Sequence, residues 1–168
     1  GKSGVGYSYA DVATAMLIRD LLAKTVEGRD ALDIDGARSA MLRAIRNLGR
    51  PGIASMAISA VDNALWDLKA KLLDLPLFKL LGAVRDAAPV YGSGGFCSYT
   101  DAQLREQLSG WANEGITMVK MKIGREPQRD PARVGVARET IGEGVQLFVD
   151  ANGAYSRKQA LRLALTFA

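Results

Sequence analysis

The 168-residue sequence predicts an α/β protein in which a mostly helical N-terminal part is followed by the beginning of a parallel β/α barrel or sheet. Apolar residues recur at helical spacing up to about residue 86, and from residue 87 onward short apolar runs alternate with helical segments. Three strands alone would leave open sheet edges and bare apolar faces, so we expect further strands in the intact protein. The chain begins with Gly1 and its last helical segment has no stop signal, so we expect it to be part of a longer protein.

The N-terminal part, residues 1–86, is predicted to open with the end of a hairpin or edge strand and to continue with helices. Asp11 and Asp35 are candidate N-caps of the first two helices. The residues predicted to face inward on these helices are Val12, Ala15, Met16 and Leu22, and then Ala37, Ala40, Met41, Ala44, Ile45 and Leu48. A third helix carries a stripe formed by Ile53, Met56, Ala57, Ala60, Val61, Ala64, Leu65 and Leu68. Residues 76–81 add one helical turn closed by Gly82.

The C-terminal part, residues 87–168, is predicted to contain three strands that alternate with three helices. The strands are expected at residues 88–91, 117–123 and 145–149. Helices are expected to begin near Thr100, at Asp130 with Pro131 in the first helical position, and at Ser156, which can form a capping box with Gln159. This order is typical of parallel βαβ units.

Composition excludes several classes of function. The net charge of +4 comes from 22 basic residues spread among 18 acidic ones, with no basic run, which argues against a nucleic-acid-binding protein. No apolar stretch is long enough to span a membrane. The absence of histidine excludes zinc sites of the Cys/His type, and the single Cys97 suits a reducing compartment, so we expect a cytoplasmic protein.

Two lysines share one face at the end of the second predicted strand. Alternation along a strand places Lys120 and Lys122 on the same side and Met121 on the other. Repulsion between two ammonium groups lowers the pKa of each, and a lysine with a lowered pKa can act as a base. Strand-end lysines that simply point into water are the simpler interpretation, and spacing alone favours that one.

The third predicted strand ends with Asp150 and Asn152, which also share a face. Active sites of parallel α/β folds lie at this end of the strands, and a carboxylate there is a plausible ligand for Mg²⁺. The same Asp-Ala-Asn-Gly sequence is well suited to a turn, and alone it would favour that interpretation. Cations, a carboxylate and an amide that converge on adjacent strand ends are costly unless something binds there.

A glycine-rich segment, residues 92–96, follows the first predicted strand. A phosphate-binding loop of a nucleotide-binding domain is one hypothesis, but Cys97 stands where the dinucleotide fingerprint needs glycine. A tight loop at the mouth of the barrel is the alternative that we favour, with Ser93 placed to hydrogen-bond a ligand.

The sequence resembles the mandelate racemase and muconate lactonizing enzyme family of the enolase superfamily. MAISAVDNALWDLKAKLLDLPLFKLLG is similar to the helix that closes the capping domain of that family. VKMKIG is similar to its Lys-x-Lys strand, and LFVDANGAYS to its Asp-x-Asn strand. The resemblance implies a partial TIM-like (β/α) barrel preceded by a mostly helical α+β capping domain. Residues 1–86 would be the C-terminal part of the capping domain, and residues 87–168 the first three βα units.

The resemblance also implies a mechanism. Lys122 would remove the proton α to a substrate carboxylate, and Lys120 would lower the pKa of Lys122 and contact that carboxylate. Asp150 would be the first Mg²⁺ ligand, Asn152 would orient the substrate or the metal shell, and Ser93 would contact the substrate. The implied reaction is dehydration of an acid sugar, with racemisation, epimerisation or cycloisomerisation as alternatives, in a homo-oligomer of full-length chains.

Two further metal-binding carboxylates and an acid–base partner are expected on strands that this chain does not contain. We therefore expect the 168 residues alone to be inactive. A non-catalytic relative that keeps the fold as a binding surface is the remaining hypothesis, and the intact set of Lys120, Lys122, Asp150 and Asn152 argues against it.

Overall fold

The computed structural model describes residues 1–168 and divides them into two compact units, Gly1–Asp86 and Ala87–Ala168. No helix in either unit combines the length and the apolar character needed to cross a lipid bilayer.

The first unit consists of helices joined by short turns. They are α1 (Val12–Leu17), a π-helical turn (Ile18–Leu22), α2 (Ala23–Val26), α3 (Ile34–Ala44), α4 (Ile53–Leu72) and α5 (Leu77–Leu80). Their shared core contains Leu22, Met41 and Ile45, none of which is exposed, packed against Ala57 and Ile58 of α4. The small residues Ala54, Ala57 and Ala60 of α4 are buried, so little side-chain volume separates this helix from its neighbours.

The opening segment is not a strand, contrary to our prediction. It lies along α4 instead, where the Val5 N–H donates to Asp67 Oδ2 at 2.7 Å. A Cβ atom at Gly4 would stand 2.0 Å from the carbonyl oxygen of Ala64, so only glycine permits this approach. Gly4 and Gly6 of this segment therefore serve close packing against a helix.

The helix starts of this unit were predicted only in part. Asp11 caps α1 by accepting the Ala13 N–H at 3.0 Å, as expected. The cap of α3 is Asp33, not Asp35, because Asp33 immediately precedes the helix and accepts the Gly36 N–H at 2.9 Å. Asp35 lies in the first turn, where the positive end of the helix dipole stabilises its negative charge.

Several residues predicted to face inward are exposed. Val12 is 70% exposed and Met16 48% exposed, while Thr14 is the buried residue of α1. The π-helical turn that follows α1 changes the helical phase, so a spacing counted from Leu22 does not extend back to Val12. On α3, the expected Ala37, Ala40 and Met41 are buried, as is Ile45 just after the helix. Ala44, the last residue of α3, and Leu48, which lies beyond its end, are exposed.

The second unit contains three βα units. They are β1 (Gly92–Gly94) with α6 (Asp101–Asn113), β2 (Met118–Lys122) with α7 (Asp130–Ile141), and β3 (Gln146–Asp150) with α8 (Arg157–Phe167). The strands form one parallel sheet in the order β1-β2-β3. The predicted helix start near Thr100 and the predicted capping box at Ser156 are confirmed, and Thr100 forms a capping box with Gln103 as well. α7 begins at Asp130 as predicted, with Pro131 as the second residue of its first turn.

One face of the sheet packs against α6 and α7. Val119 and Met121 of β2 are fully buried there against Leu104 and Leu108 of α6 and Ala137 of α7. The opposite face carries Lys120 and Lys122, as the period of two along a strand requires.

The first strand lies later than predicted. Residues 88–91 form no strand, and β1 consists of Gly92, Ser93 and Gly94, where the sequence pattern predicts a loop. A Cβ atom at Gly92 would lie 2.4 Å from the Trp111 ring of α6, so the strand needs glycine for close packing. Glycine and serine have low strand propensity, so the sequence pattern does not indicate β1 as a strand.

Candidate active site

Parallel pairing of β2 with β3 brings the predicted lysines and carboxylate together. Lys120 is in register with Phe148, and Lys122 is in register with Asp150. Residues in register on neighbouring strands point to the same face, so both lysines and Asp150 lie on the face opposite to α6 and α7. The strand pairing alone therefore determines which side chains can meet.

Asp150 is the centre of the contacts. Its Oδ2 atom lies 2.6 Å from Lys122 Nζ and 3.2 Å from Lys120 Nζ. The side chains of the two lysines are 15% and 23% exposed, and that of Asp150 is 31% exposed, so the cluster is sheltered but reachable from solvent.

Asn152 completes the cluster through a turn. Its Oδ1 atom accepts a hydrogen bond from Lys122 Nζ at 2.7 Å, and its N–H donates to Asp150 Oδ1 at 2.9 Å. Its φ angle of 47° lies in the left-handed region, which asparagine tolerates better than most residues. The turn and the site are thus not alternatives, because the turn after β3 is what directs Asn152 toward Lys122.

Ser93 lies on the same face, one strand away. It is in register with Lys120 and is exposed, so its hydroxyl group is accessible beside the lysine pair. It lies in β1 itself and not in a loop after the strand.

The electrostatics differ from our expectation for the lysine pair. The pKa of Lys122 is raised, chiefly by its hydrogen bond to Asp150, and the pKa of Asp150 is strongly lowered, chiefly by Lys122. The prediction of a lowered pKa for Lys122 is therefore wrong while Asp150 is ionised and hydrogen-bonded to it. An ionised carboxylate 2.6 Å away outweighs the repulsion from a second ammonium group.

Two aromatic residues that the sequence pattern does not indicate as site residues flank the lysines. The Tyr91 ring centroid lies 5.8 Å from Lys120 Nζ, and the Tyr91 and Phe148 rings meet edge to face at 6.1 Å. Phe148 precedes Asp150 by two residues, so strand alternation could have placed it on this face. Tyr91 could not have been found in the same way, because the predicted position of the first strand was wrong.

The glycine-rich segment does not form a phosphate-binding loop. The Gly95 N–H donates to Gln107 Oε1 at 2.7 Å, so a side chain of α6 occupies that donor. Gly92 and Gly94 belong to β1 and pack against α6. The nucleotide-binding hypothesis thus loses the feature on which it depended.

The donor chemistry of the cluster fits one ligand of Mg²⁺. Asp150 offers hard carboxylate oxygen atoms, as this ion prefers, and its lowered pKa keeps it ionised. No group of three or more acidic, cysteine or histidine side chains is placed to hold a metal. Asp150 can therefore offer one ligand, and residues 1–168 bring no set of three such side chains together around it.

The two units match two families of domains. Residues 1–82 match the N-terminal domain of mandelate racemase / muconate lactonizing enzyme, and residues 103–168 match a domain described as enolase C-terminal domain-like. The chain is 39% identical to L-talarate/galactarate dehydratase of Salmonella typhimurium, covering 97% of this chain and 42% of that protein. It is 36% identical to 3,6-anhydro-alpha-L-galactonate cycloisomerase of Streptomyces coelicolor, covering 100% of this chain and 48% of that protein.

Solved structures match over the same length. A mandelate racemase/muconate lactonizing enzyme-like protein from Rubrobacter xylanophilus is 57% identical with a TM-score of 0.94, covering 100% of this chain and 47% of its own. L-Talarate dehydratase from Polaromonas sp. JS666, complexed with Mg and L-glucarate, is 36% identical with a TM-score of 0.82, covering 98% of this chain and 47% of its own. A magnesium-bound racemase from Streptomyces coelicolor is 35% identical with a TM-score of 0.87, covering 99% of this chain and 48% of its own.

The fold is thus that of a capping domain followed by part of a TIM-like barrel. The chain belongs to the mandelate racemase/muconate lactonizing enzyme family of the enolase superfamily. It spans about half the length of the relatives that it matches.

Proposed function

We propose that the protein carrying this chain is a Mg²⁺-dependent acid-sugar dehydratase that acts by removing the proton α to a carboxylate. The observation that carries the proposal is the position of Lys122 Nζ, within hydrogen-bonding distance of both Asp150 Oδ2 and Asn152 Oδ1. An amine held in this way on a strand end can be presented to a substrate with little conformational freedom left to lose.

Lys122 is the base in this proposal. A base must give up its proton, and in the cluster as described the Asp150 carboxylate opposes that loss. If Asp150 binds another partner, it stabilises the protonated form of Lys122 less. Repulsion from the Lys120 ammonium group then favours the neutral form of Lys122. The same side chain can therefore be a charged structural partner or a base, depending on what Asp150 contacts.

The neighbouring residues bind and orient the substrate. Lys120 presents an ammonium group to the substrate carboxylate, with the Tyr91 ring 5.8 Å away limiting its movement. Asn152 holds Lys122 and can hydrogen-bond a substrate hydroxyl group, and Ser93 offers a second hydroxyl contact one strand away.

Asp150 would be one of the Mg²⁺ ligands. When bound, Mg²⁺ supplies positive charge to the substrate carboxylate as negative charge develops on it. One carboxylate flanked by two ammonium groups is a weak site by itself, so we propose that residues 1–168 alone are inactive.

Dehydration is our first choice because the relatives include an L-talarate/galactarate dehydratase and an arabinonate dehydratase. A cycloisomerase or a racemase would need the same α-proton removal and would use the same residues of this chain. Product analysis separates these alternatives, because only dehydration removes a molecule of water from the substrate.

The wider setting follows from composition and family. We propose a homo-oligomer of full-length chains in the cytoplasm, acting on a small carboxylate and not on nucleic acid or membrane. The dispersed charges and the single cysteine of the chain support this proposal.

The test is exchange of the α-hydrogen of galactarate in deuterated solvent by the full-length protein with Mg²⁺. We expect Lys122→Ala to reduce exchange about 10²- to 10⁴-fold, the range for loss of a general base. Lys158→Ala, which changes an exposed lysine on α8, is the matched control and should leave the rate unchanged. Full exchange by Lys122→Ala would remove Lys122 from the role of base, and binding of acid sugars without exchange by the wild type would favour a non-catalytic relative.

A further inference from the structure

The first turn of α7 contains two buried charged residues that the proposed mechanism does not use. Asp130 is 1% exposed and Arg133 is 6% exposed, whereas most charged residues of the chain are on the surface. Burying charge is costly unless hydrogen bonds offset the loss of water. The partners of these two side chains therefore indicate what they do.

Asp130 connects the segments that follow β2 and β3. Its Oδ2 atom accepts the Gly124 N–H at 3.0 Å, and it also accepts a hydrogen bond from the Tyr155 hydroxyl group. Gly124 follows Lys122 by two residues, and Tyr155 follows Asn152 by three. The Asp130 carboxylate thus binds both the segment that follows Lys122 and the segment that follows Asn152.

Arg133 connects the segment that follows β1. Its Nη1 donates to the carbonyl of Tyr99 at 3.0 Å, and its Nη2 donates to the carbonyl of Phe96 at 3.2 Å. These carbonyls come just after Gly95, whose own carbonyl accepts the Lys122 N–H at 3.0 Å. The planar guanidinium group suits this task because it presents two donors in a fixed geometry.

Backbone hydrogen bonds connect the segments held by Asp130 and Arg133 to the strand ends that carry Lys122 and Asp150. The Ile123 N–H donates to the Asp150 carbonyl at 3.1 Å, which links the ends of β2 and β3 directly. A displacement of Gly124 or Tyr155 would therefore change the separation of Lys122 and Asn152, which are 2.7 Å apart at Nζ and Oδ1.

We propose that Asp130, Arg133 and Tyr155 form a positioning clamp, which fixes the segments after all three strands and thereby sets the distance between Lys122 and Asn152. The proposal rests on the function proposed above in so far as it concerns the rate of α-proton removal. None of the three residues touches the reacting atoms, so each is a positioning residue and not a catalytic one.

Tyr155→Phe in the full-length protein is the main test, because it removes one hydroxyl group and keeps the ring. We expect kcat for α-hydrogen exchange with galactarate to fall about tenfold or more, since small displacements of reacting groups can cost up to about 100-fold. KM should change little, and kcat should fall by this factor per folded molecule even where loss of the hydrogen bond to Asp130 lowers the thermal midpoint. A proportional loss of folded protein and activity, or an unchanged kcat, would overturn the proposal.

Arg133→Gln and Arg129→Gln form a matched pair on the same helix end. Arg129 is exposed and pairs with Glu126 at 3.3 Å, so its replacement should leave kcat unchanged while Arg133→Gln lowers it. Equal effects of the two substitutions would contradict a specific role of Arg133.

A crystal structure of the Tyr155→Phe protein gives a readout that does not depend on turnover. We expect the distance from Lys122 Nζ to Asn152 Oδ1 to lengthen beyond 3.5 Å, the limit of a hydrogen bond. An unchanged distance of 2.7 Å would overturn the clamp. If the wild type exchanges no α-hydrogen, the proposed function fails, and this distance still decides whether the clamp exists.

Discussion

The two faces of β2 are built from alternate residues of the same pentapeptide, yet they are stabilised in different ways. Val119 and Met121 are fully buried under α6 and α7, while Lys120 and Lys122 contact the Asp150 carboxylate on the other face. Apolar burial needs only that water be excluded, whereas the lysines need a partner of opposite charge on a neighbouring strand. One face therefore holds the fold together, and the other brings together groups that can do chemistry.

The largest expected difference between the faces concerns Met121. We expect Met121→Ala in the full-length protein to lower the free energy of unfolding by about 2–5 kcal/mol, because it leaves a cavity in a packed core. Lys120→Ala, one residue earlier, should cost clearly less. Urea unfolding monitored by circular dichroism measures both, and comparable losses from the two variants would contradict the division between the faces.

The first strand provides a second pair of neighbouring residues. Gly92→Ala would place a Cβ atom 2.4 Å from the Trp111 ring, so we expect a loss of about 1–3 kcal/mol from overpacking. Ser93→Ala, on the exposed face, should change stability little. A Gly92→Ala chain with wild-type urea resistance would show that α6 can move away from the strand at no cost.

The smallest expected effect is a dependence of stability on pH that arises from the charged face. The lowered pKa of Asp150 stabilises the fold above about pH 4 and loses this contribution as the pH falls through the folded-state value. The raised pKa of Lys122 stabilises it below about pH 10 and loses this contribution as the pH rises through the folded-state value.

Both contributions should therefore be complete only between about pH 4 and pH 10. We expect the wild type to lose more stability outside this range than the double variant Lys122→Met, Asp150→Asn, measured by urea unfolding in EDTA. The effect should shrink at high salt, because both groups are partly exposed. Identical pH profiles of the two proteins would mean that the ion pair contributes nothing to the fold.

The elements that the sequence predicted well are those in which local chemistry and periodicity agree. The capping box at Ser156 and the helix starts near Thr100 and at Asp130-Pro131 are confirmed because each depends on neighbours three residues away or fewer. β2 and β3 carry β-branched, aromatic or long apolar residues, and their observed limits lie within a residue or two of the predicted ones.

The elements that were predicted wrongly depend on partners distant in sequence. β1 is Gly-Ser-Gly, which resembles a loop, and it is a strand because β2 pairs with it and Trp111 needs the space. The opening segment resembles an edge strand and instead packs against α4, about sixty residues later. In both cases glycine signals close packing, and the sequence does not tell which neighbour approaches.

The sequence by itself determined which residues share a face, because the periods of helices and strands are fixed by backbone geometry. It placed Lys120 with Lys122 on that basis, whereas Asn152 reaches the cluster through the turn that follows β3. Only the tertiary structure decided that Lys122 lies opposite Asp150 and carries a raised pKa, because strand register depends on contacts between segments. It also decided that Asp130 and Arg133 are buried, since their partners come from the segments after all three strands.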